Sequence, residues 1–226
     1  MKIAFVTKGS LNEVWQNNLV EICKQNVVVF GFNGLGLVSY KKELAGETEY
    51  FSDLAKLSRD ISSVVISGCD TDTYGVFKKS VAIADNGRLL GVSDMAHTKK
   101  ESEFSSGSGF RVYDTSAGKI GIIVGDDLYF PEVPRILSLC DADFIVAIIK
   151  TINSSIPVTM LKSGAFANGV TMGLVSSSYG LVSNIKGEIV FGGSAEILKT
   201  NILIEKDYHL INLRRRGLYR DFNSGY

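Results

Sequence analysis

The residues of this chain best placed to do chemistry gather at one short stretch, Val124-Gly125-Asp126-Asp127. Two adjacent carboxyl groups behind an apolar run can supply a nucleophile or a general base. His97 is one of two histidines. As a base it needs a nucleophilic partner such as Ser93 or Ser178. Asp70-Thr71-Asp72 would need further oxygen ligands to hold a metal ion, and none lies nearby in the sequence, so it reads as a polar loop. Cys23, Cys69 and Cys140 are odd in number and widely spaced, without a CxxC pair, which supports neither a disulfide framework nor a zinc cluster. Cys140 reads as a buried small residue. Asn33-Gly34-Leu35-Gly36 lacks the following Lys of a phosphate-binding loop. No metal, nucleotide or other cofactor is predicted.

The elements that must position these groups are short. Residues 2–6 and 27–30 are apolar and β-branched, the mark of buried strands, and 64–67 is a third. Apolar residues at helical spacing predict helices over 11–24 and 51–61. Residues 77–84 and 89–92 flank Asp85-Asn86-Gly87, whose Asn-Gly step signals a hairpin. Residues 110–113 and 120–124 form a second strand pair, and a helix begins with Pro131 in its first turn. Strands at 144–149 and 171–176 bracket a helix over 157–170; residues 185–190 bracket a turn at Lys186-Gly187, and 201–204 is the last strand. Residues 31–36 are a loop. Fully apolar strands between amphipathic helices require sheets covered on both faces.

With 226 residues the chain suits a single domain spanning 1–226. The 24 basic and 24 acidic residues balance, which argues against electrostatic binding to nucleic acid or to an anionic membrane. The local cluster Arg214, Arg215, Arg216 and Arg220 has Glu205, Asp207 and Asp221 close by and reads as a solvated, partly paired face. The apolar N-terminal run is too short for a signal peptide, and the longest other, 144–149, is too short to span a bilayer. A soluble, cytoplasmic protein is expected.

One segment carries a resemblance. Gly118-Lys119-Ile120-Gly121 leads through an apolar strand to Gly125-Asp126-Asp127 and then Phe130-Pro131-Glu132, with Arg135 beyond. This resembles the nucleophile region of the nitrilase (carbon–nitrogen hydrolase) superfamily, where a Gly-Lys-Ile-Gly strand runs into Cys-Tyr-Asp and then Phe-Pro-Glu. Val27-Val28-Val29-Phe30 is similar to the strand before that family's catalytic Glu. Arg88-Leu89-Leu90-Gly91 is similar to the hairpin before its catalytic Lys. Asp141-Ala142-Asp143, Ala165-Phe166-Ala167-Asn168 and residues 183–190 continue the likeness in the same order.

The resemblance implies an α/β fold, a four-layer αββα sandwich, and a Glu-Lys-Cys triad that this chain lacks. The corresponding positions hold Phe32, Met95 and Gly125; thirty residues separate the last two, an interval that suits the family's spacing. No Cys lies between Cys69 and Cys140, so no shift of alignment restores a thiol at the corner. Gly125 is expected to occupy a strained turn that glycine enters at little cost. Asp127 takes the family's structural Asp position, Asp126 replaces a neighbouring aromatic residue, and His97 reads as a satisfied loop histidine.

The expected function is a catalytically inactive member of the superfamily, a small-ligand-binding or assembly module with an apolar pocket around Phe32, Met95 and Gly125. The resemblance implies pairing with itself as a homodimer, or with an active relative. Two readings stand beside it. One is an amide or nitrile hydrolase using relocated Asp126, Asp127, His97 or Lys99; the other is a purely structural subunit with a closed pocket.

Overall fold

The computed structural model describes residues 1–99, 101–151 and 155–215. The chain first lays down β1 (Lys2–Val6), β2 (Val27–Phe30), β3 (Gly36–Ser39), β4 (Val64–Thr73), β5 (Val76–Asp85) and β6 (Arg88–Asp94). It then forms β7 (Val112–Thr115), β8 (Gly118–Val124), β9 (Phe144–Ile148), β10 (Thr171–Val175), β11 (Gly180–Ser183) and β12 (Ile189–Gly193), and finally β13 (Ile197–Asn201). The first six strands and β13 make one sheet in the order β13-β1-β2-β4-β5-β6, with β3 pairing the far half of β4. The other six make a second sheet, β12-β11-β10-β9-β8-β7. Each sheet is parallel at its centre (β1, β2, β4; β8, β9, β10) and antiparallel towards its edges.

Side-chain alternation assembles these sheets into layers. Ile3, Phe5, Val29, Ile66, Val81 and Ile83 of the first sheet pack with Ile120, Ile122, Phe144 and Val146 of the second. The opposite face of the first sheet, with Ala4, Val28, Phe30 and Val65, is covered by α1 (Leu11–Asn17) and α4 (Tyr50–Asp60) through Leu11, Val14, Leu54 and Leu57. The opposite face of the second, with Ile123, Ile145 and Leu174, is covered by α5 (Glu132–Leu139) and α6 (Ile156–Asn168) through Val133, Leu137, Leu161 and Ala165. Helix, sheet, sheet and helix therefore stack in the αββα order. Short helices α2 (Leu19–Ile22), α3 (Tyr40–Leu44) and α7 (His209–Asn212) complete the element set.

Most elements fall where the sequence places them, and the exceptions have local causes. Asn86 and Gly87 both have positive φ, 50° and 78°, as the hairpin signal requires. The helix expected over 11–24 breaks in two at Asn18, the cap of α1, and Lys24 turns left-handed at φ 64°. The start of α1 is fixed by a capping box between Ser10 and Glu13. Part of the loop expected over 31–36 is the beginning of β3, and the last strand lies at Ile197–Asn201 instead of 201–204. The polar loop expected at 70–72 is strand: β4 runs on to Thr73 because it pairs β5 on one side and β3 on the other. Cys140 is exposed, because α5 ends there and turns outward through Asp141 at φ 70°. Arg216, Arg220 and Asp221 of the basic cluster lie outside the described residues.

The segment beyond β13 is tethered by charge. Lys206 Nζ donates to the Asp141 backbone carbonyl (3.1 Å), to Asp143 Oδ1 (3.0 Å) and to the Asp141 carboxylate, which also accepts from Lys119 Nζ at 2.9 Å. The hydrogen bonds from Lys206 and Lys119 hold the Asp141 carboxyl down at about 2. A carboxyl depressed in the folded state stabilises fully above its ordinary pKa, ~3.9, and that stabilisation is lost as pH falls through about 2. Amide exchange around Lys206 is therefore expected to rise as pH is lowered from 4 towards 2, beyond the intrinsic pH dependence of exchange, and to rise in high salt because Asp141, the shared acceptor, is exposed. Unchanged protection of this segment at pH 2 and in high salt would show that the ion cluster does not hold it.

Candidate functional site

The parallel strands of both sheets end at one rim of the sandwich, the edge where open α/β folds place their ligands. Beyond β2, the Gly31-Phe32 backbone touches β4 so closely that a Cβ on Gly68 would lie 2.8 Å from Phe32 Cα. A Cβ on Gly31 would lie 3.5 Å from the Ser176 carbonyl oxygen, which follows β10. The two sheets thus meet at these turns, and β8 delivers Gly125 to the same rim.

Gly125 has φ +55°, inside the left-handed region that side chains disfavour and glycine enters at little cost, so the expected corner is present. It opens a 3-10 turn, Gly125–Tyr129, that precedes α5. Met95 extends the pairing of β6 by donating its N–H to the Lys79 carbonyl at 2.8 Å. Its side chain lies directly over the turn. The sulfur accepts the Asp126 N–H at 3.4 Å, and a Cβ on Gly125 would approach that sulfur to 2.8 Å. Met95 is buried and belongs to the inter-sheet core, against which Phe32 also packs.

Asp127 has a different place. Its carboxylate is buried beneath the segment 95–97 and accepts the Ala96 N–H (2.8 Å), the His97 N–H (2.9 Å) and the His97 ring Nδ1 (2.8 Å). An ionised carboxylate only accepts, so Nδ1 of His97 carries the hydrogen. The ring stacks on Phe130 at 3.8 Å between centroids and faces Phe110 at 5.9 Å. His97 and Asp127 are therefore a satisfied pair that positions the loop. Ser93 Oγ shares its hydrogen bond with the Tyr113 hydroxyl, and Ser178 sits in the turn after β10, bonded to Ser176. Neither serine is hydrogen-bonded to His97, and among the described residues no nucleophile–base couple forms there.

Beside Met95 opens a cleft of about 470 Å³ lined by Lys79, Met95, Lys99, Glu101, Ser102 and Asp126. Of the residues around which a pocket was expected, Met95 lines this cleft while Phe32 and Gly125 do not, and four of its six lining residues are charged. Asp126 is at the cleft, while Asp127 and His97 lie outside its lining. Lys79 is the residue sequence reasoning missed. It projects from β5 on the same face as Val81 and Ile83, towards the second sheet, and its Cδ lies 3.8 Å from where a Cβ on Gly125 would stand. Its ammonium sits 4.1 Å from the Phe104 ring centroid, 5.2 Å from that of Phe32 and 3.5 Å from Asp70 Oδ1. The signal that could have found it is the cross-strand register Asp70↔Lys79, visible only once β4 is known to continue past residue 67.

Among the described residues no group of His, Cys, Asp and Glu is arranged to hold a metal ion. Burial pushes the Cys69 thiol far above its ordinary range, so it is no thiolate nucleophile. Among the same residues no helix is long and apolar enough to cross a membrane.

Residues 10–195 match the family model described as carbon–nitrogen hydrolase. A probable nitrilase of Schizosaccharomyces pombe is 32% identical over 110 residues, which is 46% of this chain and 40% of that protein, so the match spans well under half of the relative. Among solved structures, the carbon–nitrogen hydrolase of Helicobacter pylori G27 superposes with TM-score 0.77 at 19% identity, covering 100% of this chain and 99% of that one. Saccharomyces cerevisiae Nit3, of branch 10 of the nitrilase superfamily, gives 0.74 at 18% identity over 100% and 97%. An amidase variant from Nesterenkonia sp. AN1, with the acetamide moiety of fluoroacetamide covalently added at its active-site cysteine, gives 0.77 at 16% over 97% and 96%. At these identities the structural likeness establishes the αββα fold.

Proposed function

The chain belongs to the carbon–nitrogen hydrolase family of the nitrilase superfamily, and from that premise we propose that it is a non-catalytic member that serves as a small-ligand-binding and assembly module. The observation that carries this reading is the Met95 thioether lying 2.8 Å from where a Cβ on Gly125 would be. At the turn where the resemblance places a thiol, the chain has no side chain, and the space is filled by a residue that can neither take a proton nor stabilise an oxyanion. Covalent acyl transfer needs a nucleophile and a base within hydrogen-bond reach. Loss of one oxyanion donor alone costs roughly two to three orders of magnitude in rate.

The alternative, a hydrolase with relocated groups, is weakened by the engagement of Asp127 and His97 with each other. Asp126 and Lys99, both exposed at the cleft, are what it has left. Incubation of the full chain with aliphatic amides and nitriles is expected to release no ammonia above a buffer control and to leave the intact mass unchanged. Turnover that disappears in Asp126→Ala would instead establish the relocated-residue hydrolase.

The assembly part of the proposal is supported by the outer helical layer. α5 and α6 pack together and leave Ile136, Leu139, Ile156 and Phe166 exposed. Apolar side chains presented together on one layer suit a surface covered by a second copy. The same preparation is expected to elute as a homodimer in light-scattering chromatography, and a monomer would remove this part of the reading.

A further inference from the structure

Among the described residues, Lys79 is a cleft residue whose ammonium donates no hydrogen bond, with its ion-pair partner Asp70 at 3.5 Å. Its side chain is only 16% exposed, yet its nearest anionic partner, Asp70, stands at 3.5 Å, beyond the ~2.7–2.9 Å of a charge-assisted hydrogen bond. Asp70 Oδ1 is itself buried and has no hydrogen-bond partner among the described residues. The rings of Phe32 and Phe104 flank the ammonium and can attract it, but they supply no acceptor lone pair. An ammonium recessed at the cleft, with N–H donors that no described protein acceptor takes up, is open to an acceptor brought by a ligand.

The remaining charges of the cleft are differently placed. Lys99, Glu101 and Asp126 are exposed at its rim, one cation against two anions, where water screens them. The floor consists of buried Met95 and mostly buried Lys79, with Phe32 and Phe104 against the ammonium. A cation recessed among a thioether and two aromatic faces suits an anionic head on a short apolar body. We infer that this cleft binds a small aliphatic carboxylate, with the carboxylate accepting hydrogen bonds from Lys79 and the chain lying against Met95 and the aromatic rings. The inference rests on the reading of the protein as a binder and adds the ligand class and the anchoring residue.

The test is calorimetric titration of the full chain with sodium acetate and sodium butyrate against sodium chloride at equal ionic strength. Saturable binding is expected, tighter for butyrate. Lys79→Met keeps the length and apolar character of the stem and is expected to weaken butyrate by about tenfold or more, the worth of a hydrogen bond to a charged group. Asp70→Asn removes a like charge beside the bound head and is expected to strengthen binding, whereas a merely structural Asp70–Lys79 pair predicts weakening. Lys99→Met, at the rim, is expected to change affinity by less than about twofold. Thermal melts of each variant check folding, and if Lys79→Met does not fold, the sign of the Asp70→Asn effect decides. Absence of saturable butyrate binding, equal affinity in Lys79→Met, weaker binding in Asp70→Asn, or tighter binding of butyramide than of butyrate each overturns the inference. Any of these without amide turnover leaves the non-catalytic reading standing, whereas amide turnover ends that reading whatever the carboxylates do.

Discussion

Replacing Asp127 by alanine is expected to lower the stability of the fold by about 3 kcal/mol, the largest loss from any single polar side chain at the site. The carboxylate is buried and accepts three hydrogen bonds, two from backbone N–H groups and one from the His97 ring. Its removal leaves those donors facing a small cavity. The lower end of the range for breaking a buried charged interaction applies, because His97 is 39% exposed and water can reach part of what is uncovered. Asp127→Asn keeps one acceptor oxygen and the volume, and is expected to cost about half as much. Urea titrations with unchanged slope would measure both. A loss below about 0.5 kcal/mol for Asp127→Ala, the scale of an ordinary surface substitution, would show that segment 95–97 is held by something else.

The consequence extends to the cleft. Asp127 ties down Ala96 and His97, and the neighbouring Met95 is the residue whose sulfur covers Gly125. The carboxyl group to which the resemblance gives a structural place therefore acts on the site through the backbone it positions, a role distinct from catalysis.

That distinction marks how far the sequence can be read. The buried strands at 27–30, 120–124 and 144–148 were legible because parallel central strands must be apolar on both faces, and few other environments demand so continuous an apolar, β-branched run. The Asn86-Gly87 turn was legible because its backbone demands those residues. Gly125 was readable as a strained corner only through the resemblance, and its φ of +55° fits that expectation. The second half of β4 was not: Asp70-Thr71-Asp72 has the composition of a loop, and only pairing with β3 and β5 makes it strand. Lys79 was hidden by the same ambiguity, since a lysine alternating with Ser80 on an edge-ward strand reads as solvated until its inward face is known. Cys140 failed for a different reason, because a residue at a helix end can turn either way and periodicity does not say which.

If Phe32, Met95 and Gly125 stand where a Glu-Lys-Cys triad would, restoring them together is expected to do what restoring one cannot. Gly125→Cys alone places a Cβ 2.8 Å from the Met95 sulfur, at a backbone φ of +55°, with no base and no cation of the required geometry. Its thiol has no base beside it and is expected to be acylated by p-nitrophenyl acetate, through a tetrahedral oxyanion that expels p-nitrophenolate, no faster than a free thiol. Adding Met95→Lys removes the obstructing thioether and supplies an oxyanion donor, worth roughly two to three orders of magnitude. Adding Phe32→Glu supplies a base, worth roughly two to four. These terms overlap, so the triple variant is expected to form the covalent adduct at least ~10²-fold faster than Gly125→Cys. Intact-protein mass spectrometry over time would read both rates, with Cys23 and Cys140 replaced by serine to silence the more accessible native thiols. A folded triple variant as inert as the single one would mean that Phe32 and Met95 do not mark the positions of a lost base and cation. A single variant as fast as the triple would mean that the corner alone activates a thiol, and in that case glycine at position 125 is the whole of what separates this chain from a protein that forms an acyl adduct.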